Sequence, residues 1–381
     1  MSLHVRTLLP AVLLFAACTE SRPAAEAEKP APAPAAPAAP TAAVNDAAVA
    51  SVPGKSDPDC LGPIDTAVPE TLTIKGRTVE LNGYRLAITS AEDADESAVI
   101  GVLANINEAS GENMFNLDRY LSHFAEMGAE LIVVAGDSGE DRAGIEAVLR
   151  KVASSGVPVL AIAGNREAKA DFVDAVNAAR KDHPNLINGN RVRYVDWDDV
   201  DFVTLPGYHD PRYIHAGGAG CQYFKGDVTA VKKMAAAAND PVVLVAHGQP
   251  RGEAPTALDV IAPDKKHVGD SNLNEVLAAI PFGIFPNIKE AGATAVVDAG
   301  GTEVLPEGKK SDRLYLHPGS ADSIEWTMND GSTTVGTAAV LTIDAGKASY
   351  SIYRAARLTE AERAQAATLV PEPKPTTAQT E

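Results

Sequence analysis

Four polar stretches each follow a run of small and apolar residues: Asn105 and Asn107 in LANINEA, Asp137 in AGDSGED, Asn165 and Arg166 in AGNREA, and His247 in VAHGQP. A fifth, AGGTEV, carries Glu303. Carboxylate, imidazole and amide groups in such loops can hold a cation, seat an oxyanion or move a proton. Arg166 is the exception, because a guanidinium stays protonated near neutral pH and cannot be a general acid. It can bind an oxyanion bidentately, supply positive charge beside Asp137, or pair at the surface with Glu167 or Glu140.

These loops need strands to carry them. AVIGVLAN, ELIVVAG and VPVLAIAG are short continuous apolar runs of the kind that form buried parallel strands. Between them, FNLDRYLSHFAEMG and DRAGIEAVLRKVASSG space apolar residues as helices do and close on Gly128 and Gly156. Right-handed crossovers and a parallel sheet follow. DFVTLPG, DPVVLVAHG, ATAVVDAGG and RLYLHPGS add strands, and TAAVLTID with KASYSIYR reads as a hairpin turning at Ala345 and Gly346. Ahead of them, ETLTIKGRTVELNGYRLAITS alternates apolar and polar residues around Lys75-Gly76 and Asn82-Gly83, which predicts antiparallel strands joined by tight turns. The fold class is α/β, with a mixed, two-layered sheet flanked by helices. In such sheets ligands bind beyond the carboxyl ends of the strands, where the five polar loops fall.

The order of those loops resembles the calcineurin-like metallophosphoesterase family, whose motifs run D-x-H, G-D-x-x-[DG], G-N-H-[DE], a lone His, and G-H-x-H. LYLHPGS resembles the strand and turn, ending N-P-G-S, that follows the last motif, with His317 in place of Asn. The resemblance implies two metal ions bridged by Asp137 and a metal-activated hydroxide that attacks a phosphate ester. The first ion would use Asn105, Asn107 and Glu303. The second would use Asn165 and His247, with Gly301 in place of a further His. Arg166 stands at the family's catalytic His. As oxygen donors, Asn105, Asn107, Asp137 and Glu303 suit one Mg²⁺, Ca²⁺ or Mn²⁺ better than a zinc or iron pair.

Beyond the motifs, LPGYHDPRYIHAGGAGC places Tyr208, His209, Asp210, Arg212, Tyr213 and His215 in a glycine-rich segment. It is either a ligand-binding loop or an irregular surface loop. His123 lies on the packed or rim face of its helix. No G-x-S-x-G, C-x-x-C, P-loop or Rossmann glycine pattern occurs, so serine-hydrolase, thiol-redox and nucleotide-fold readings have no support.

The chain begins with Arg6, LLPAVLLFAA and Cys18, a signal peptide whose FAAC resembles a bacterial lipobox; lipidation of Cys18 and ordinary cleavage near Ala17 are the two outcomes. An Ala/Pro-rich tether spans 19–54, an N-terminal extension 55–71, the metallophosphoesterase-like domain 72–358, and a fraying tail 359–381. Lipid attachment with Thr19 after the cysteine points to the outer membrane of a cell envelope. Cys60 and Cys221 are either one disulfide or two free thiols. A net charge of −18 over 381 residues argues against nucleic acid as partner. Two functions remain: a binding or scaffold lipoprotein whose two-metal site is degraded, taking a phosphate-containing or other anionic small ligand, and an active phosphoesterase with a rebuilt oxygen-rich site.

Overall fold

The computed structural model describes residues 57–62, 69–89, 95–261 and 264–369. The signal peptide, Cys18, the tether and the end of the tail lie outside the described residues. Two large sheets carry the fold. In chain order their strands are β1 Glu70–Ile74, β2 Arg77–Asn82, β3 Arg85–Ile88, β4 Ser97–Leu103, β5 Leu131–Ala135, β6 Val159–Ile162, β7 Leu186–Asn188 and β8 Tyr194–Trp197. They continue with β9 Val200–Leu205, β10 Val242–Ala246, β11 Phe282–Ile284, β12 Thr294–Val296, β13 Val304–Leu305, β14 Leu314–His317, β15 Thr337–Asp344 and β16 Lys347–Arg354. One sheet is ten-stranded, in the order β1-β2-β3-β8-β9-β10-β11-β14-β12-β13; the other is six-stranded, β16-β15-β4-β5-β6-β7.

Alternation along each strand sorts its side chains into two cores, because successive residues face opposite sides of a sheet. In β5, Leu131, Val133 and Ala135 join a cluster that also takes Val243 and Val245 of β10, so this core lies between the two sheets. The intervening Ile132 and Val134 of β5, and Leu244 and Ala246 of β10, join the second cluster with the helix residues. Both faces are therefore covered, which is why these strands read as unbroken apolar runs.

The helices are α1 Gly111–Glu126, α2 Arg142–Ala153, α3 Lys169–Arg180, α4 Lys225–Ala235, α5 Ser271–Leu277 and α6 Glu360–Ala366. Ser110 and Asp141 cap α1 and α2 by accepting the backbone N–H groups of Asn113 and Gly144. The crossovers β4-α1-β5-α2-β6-α3-β7 place four parallel strands side by side. The hairpins turn where the sequence predicts, with Ile74 opposite Arg77, Asn82 opposite Arg85 and Asp344 opposite Lys347.

Two sequence expectations change. Residues 360–366, expected to fray, form α6: a capping box between Thr359 and Glu362 starts it, Ala366 is buried, and Arg119 pairs with Glu362 at 2.5 Å. The second concerns β11, a strand from PFGIFPN that the sequence reading passed over. It lies between β10 and β14, parallel to both. AGGTEV instead closes the β12-β13 hairpin, where Asp298 accepts the N–H groups of Thr302 and Glu303.

Candidate functional site

The loops after β4, β5, β6, β10 and β11 meet around Asp137. Three side chains there sit on left-handed backbone: Asn105 at φ +54°, Asn107 at +65° and Asp137 at +57°. Asn and Asp are the non-glycine residues that tolerate this conformation best. The loops are locked together, since the Asp137 carbonyl accepts both Ile106 N–H and Asn107 N–H at 2.9 Å. Gly136 and Gly164 allow the close approach: an added Cβ would meet His247 Nδ1 at the first and Asp137 Oδ1 at the second.

Asp137 is buried, and its Oδ1 accepts the backbone N–H groups of Asn165 and Arg166, each at 3.1 Å. Beside it, the Arg166 Nε lies 3.6 Å from Oδ2, while the other end of the guanidinium pairs with Glu140, a largely exposed carboxylate. Glu167, fully buried, accepts Ser138 N–H at 2.6 Å, Ser138 Oγ–H at 3.0 Å and Gly164 N–H at 2.9 Å. Burial, reinforced by the Asp137 charge, pushes its carboxyl up to about 7.

His247 is fully buried. Its Nδ1 lies 2.8 Å from the Ala135 carbonyl and therefore carries the proton it donates there. Nε2 faces Asn287 Nδ2 at 3.0 Å. Asn165 Oδ1 at 3.1 Å and Asp137 Oδ1 at 3.4 Å face the same atom. The Asn165 amide is fixed by donating to the Tyr213 carbonyl at 2.6 Å.

On the other side of Asp137 the centre is cationic. Lys289, 7% exposed, donates from Nζ to Asn107 Oδ1 at 3.0 Å and lies 4.6 Å from the Trp326 ring centroid. Burial lowers the pKa of its ammonium, and Asp137 pulls the other way. Asn107 Nδ2 donates to Asp322 Oδ2 at 2.6 Å, and Asn113 reaches Oδ1 of the same carboxylate at 3.3 Å. The Asn105 amide donates to the Pro286 carbonyl at 2.7 Å, leaving its own Oδ1 buried without a partner among the described residues.

Lys289, Asn287 and Asp322 were missed in the sequence. The first two stand two residues apart just after β11, between the VAHG and LHPGS strands, as the histidines of G-H-x-H would. Asn287 touches His247, a residue of the second ion's set, and Lys289 touches Asn107, of the first. Pro286–Lys289 is thus the segment in that position, and the alignment of AGGTEV with G-H-x-H is corrected. Glu303 is exposed on the β12-β13 hairpin, with its N–H on Asp298, so it is no part of the cluster around Asp137.

The proposed ligand loop also divides. Tyr208 is a core residue, fully buried, donating to the Val268 carbonyl at 2.9 Å. His209 is half-buried against the Tyr208 ring, and the exposed Arg212 is held by Asp210 at 2.5 Å. Cys221, at the end of this segment, is bridged to Cys60. His123 stacks on Tyr353 at 4.8 Å. His317 is fully buried and accepts Gly319 N–H on Nδ1 at 3.0 Å; burial pushes its pKa down to about 4.

These residues do not fit the two-ion centre that the motif order implies. An ammonium group sits on Asn107 at the first position, where a second cation would be repelled. Among the described residues no group of three or more His, Cys, Asp and Glu side chains is placed to hold a metal. At the second position Asp137, Asn165 and His247 converge with Asn287, a set with one carboxylate and one imidazole where the motif implies a further His.

No family model and no curated protein matches this sequence. Solved structures do match in fold. One aligns over 68% of this chain and 99% of its own at 13% identity, with a TM-score of 0.50. A dimetal phosphatase from Danio rerio aligns over 68% of this chain and 99% of its own at 9% identity, TM-score 0.42. GAP50, the anchor in the inner membrane complex of Plasmodium, aligns over 72% and 95% at 11% identity, TM-score 0.41. With two packed sheets and the motif loops in order at the strand ends, the chain has the calcineurin-like metallophosphoesterase fold.

Proposed function

We propose that this protein is a non-hydrolytic binding protein on a metallophosphoesterase fold, in which Arg166 and Lys289 supply the positive charge that metal ions give to a hydrolase. The observation that carries this is Lys289 Nζ on Asn107 Oδ1, beside the buried Asp137. The Lys289 ammonium occupies the place of the first ion of a metal pair, and an arginine in the catalytic His position cannot protonate a leaving group.

The ligand in this reading is a phosphate-containing or other small anion, and its seat is the Arg166 guanidinium. Glu140, whose side chain is 68% exposed, now pairs with that group and would be displaced by the ligand. Lipid at Cys18 and the tether of residues 19–54 would hold the domain at the envelope, with Thr19 directing it to the outer membrane.

Calorimetric titration with inorganic phosphate tests the seat. Arg166→Ala should abolish binding, and Glu140→Gln should tighten it about tenfold by removing the internal competitor. Phosphate that fails to bind either the parent protein or the Glu140→Gln variant would contradict an anion site at Arg166.

A further inference from the structure

The short helical turn Pro58–Leu61 is tied to both ends of the loop that carries Asn165 and Arg166. At one end the buried Asn190 accepts Ala163 N–H on Oδ1 at 2.8 Å and donates from Nδ2 to the Asp59 carbonyl at 3.0 Å. At the other end Lys169, the first residue of α3, pairs with Asp57 at 2.6 Å. Arg191 on Asp59 at 2.6 Å and Arg193 on the Leu61 carbonyl at 3.0 Å fix the turn itself.

The disulfide extends this hold to the opposite side of the loop. Cys60 joins Cys221, and the segment that ends at Cys221 meets the loop along its length. Gly207 N–H donates to the Ala163 carbonyl at 2.9 Å, and His215 N–H to the Asn165 carbonyl at 2.8 Å. The Asn165 side chain donates to the Tyr213 carbonyl at 2.6 Å, and Gly220 pairs with Ala168. An added Cβ at Gly207 would meet the Cys221 carbonyl at 2.2 Å, so the two ends of this segment are pressed together. The groups around Lys289, held on Asn107, belong to other loops.

We infer that the Cys60–Cys221 bridge, acting through Asn190, positions the Arg166 loop, so that the thiol-disulfide state of the bridge sets the affinity of the anion seat. The inference rests on the reading of Arg166 as that seat and supplies its regulation. Reduction by a dithiol passes two electrons to the bridge: the reductant closes to its own disulfide, and its two protons end on the Cys60 and Cys221 thiols. The turn then keeps only partly exposed ion pairs and hydrogen bonds to Asp59 and Leu61, which hold a segment weakly. As it leaves, Asn190 Nδ2 loses its acceptor, and the amide that receives Ala163 N–H is no longer fixed. Asn190 is a positioning residue in this scheme, since it acts on the seat through the loop.

Amide hydrogen exchange and titration with inorganic phosphate, on the whole protein before and after reduction with dithiothreitol, test it. Cys60→Ser with Cys221→Ser reaches the opened state should the buried sulfurs resist the reductant. On opening, the amides of Ala163, Asn165, Arg166 and His215 should exchange at least about tenfold faster, while those of Ile132 and Phe285, in β5 and after β11, stay unchanged. Phosphate affinity should fall roughly tenfold. Asn190→Ala, with the bridge intact, should reproduce both effects. Asn185→Ala removes another buried amide, which donates to the Ala153 and Val157 carbonyls, and should leave loop exchange and phosphate affinity as they are. Unchanged loop exchange on opening would overturn the proposal, as would equal effects of the two asparagine variants, or faster exchange with unaltered phosphate affinity. Phosphate that binds no form of the protein would contradict the anion seat itself, and the exchange rates would still decide whether the bridge positions the loop.

Discussion

Lys289 and Asn107 are 182 positions apart in sequence, yet Lys289 Nζ donates to Asn107 Oδ1 at 3.0 Å. The contact puts a covalently attached cation where the motif order would place the first metal ion. It also gives a buried ammonium its neutralising surroundings, with Asp137, Asp322 and Glu290 contributing attraction and Trp326 its ring face. A buried charge is tolerated only when it is paired and hydrogen-bonded in this way.

Replacing Lys289 by Met keeps the length of the side chain and removes its charge. Asn107 Oδ1 then loses its donor and Asp137 a compensating charge. The expected cost is about 1–3 kcal/mol in urea unfolding. Unchanged or increased stability would mean that the ammonium does not balance the centre.

Asn287 and Lys289 have the spacing of a histidine pair, so the missing donors can be put back. Asn105→Asp, Asn107→His, Asn287→His and Lys289→His together should raise bound Mn²⁺ or Zn²⁺ on equilibrium dialysis to at least one ion per chain above the parent. The same four changes with Glu303→His in place of Lys289→His should fall short, because residue 303 is exposed on the β12-β13 hairpin.

His317 gives a pH dependence of definite sign. Its ordinary value is 6.5 and burial lowers it to about 4, so the unfolded chain takes up the proton first as pH falls. The neutral ring contributes its full stability above pH 6.5, and that contribution is lost on descending towards pH 4. The loss is on the order of 3 kcal/mol. His317→Asn should flatten denaturant midpoints measured over this window; an identical slope would rule the ring out as its cause.

The Cys60–Cys221 bridge joins residues 161 apart, tying the short helical turn Pro58–Leu61 to the segment that follows β9. Changing both cysteines to serine should lower stability by about 5 kcal/mol if restriction of the unfolded chain dominates. Thermal unfolding under non-reducing conditions reads this directly, and a shift no larger than that of a surface substitution would contradict it.

The fold was legible because the parallel strands are covered on both faces, which writes them as unbroken apolar runs ending in polar loops. The hairpins at Lys75-Gly76 and Asn82-Gly83 were legible through their turn chemistry. Asp137, Asn165 and His247 could be placed together because each directly follows such a run. β11 escaped for a physical reason: it is three residues long and flanked by Pro281 and Pro286, so its apolar run is too short to stand out. With β11 missed, Asn287 and Lys289 were missed too, and the last motif was assigned to the hairpin that carries Glu303. Tyr208 was misplaced because its neighbours Asp210 and Arg212 are polar, whereas its own ring packs inward.

Whether the centre holds a metal pair is read most directly by plasma mass spectrometry of the purified protein after incubation with Mn²⁺ and desalting. The expected result is less than one ion per chain, with no hydrolysis of an aryl phosphate diester. Two ions per chain, with hydrolysis that Asp137→Ala abolishes, would contradict it.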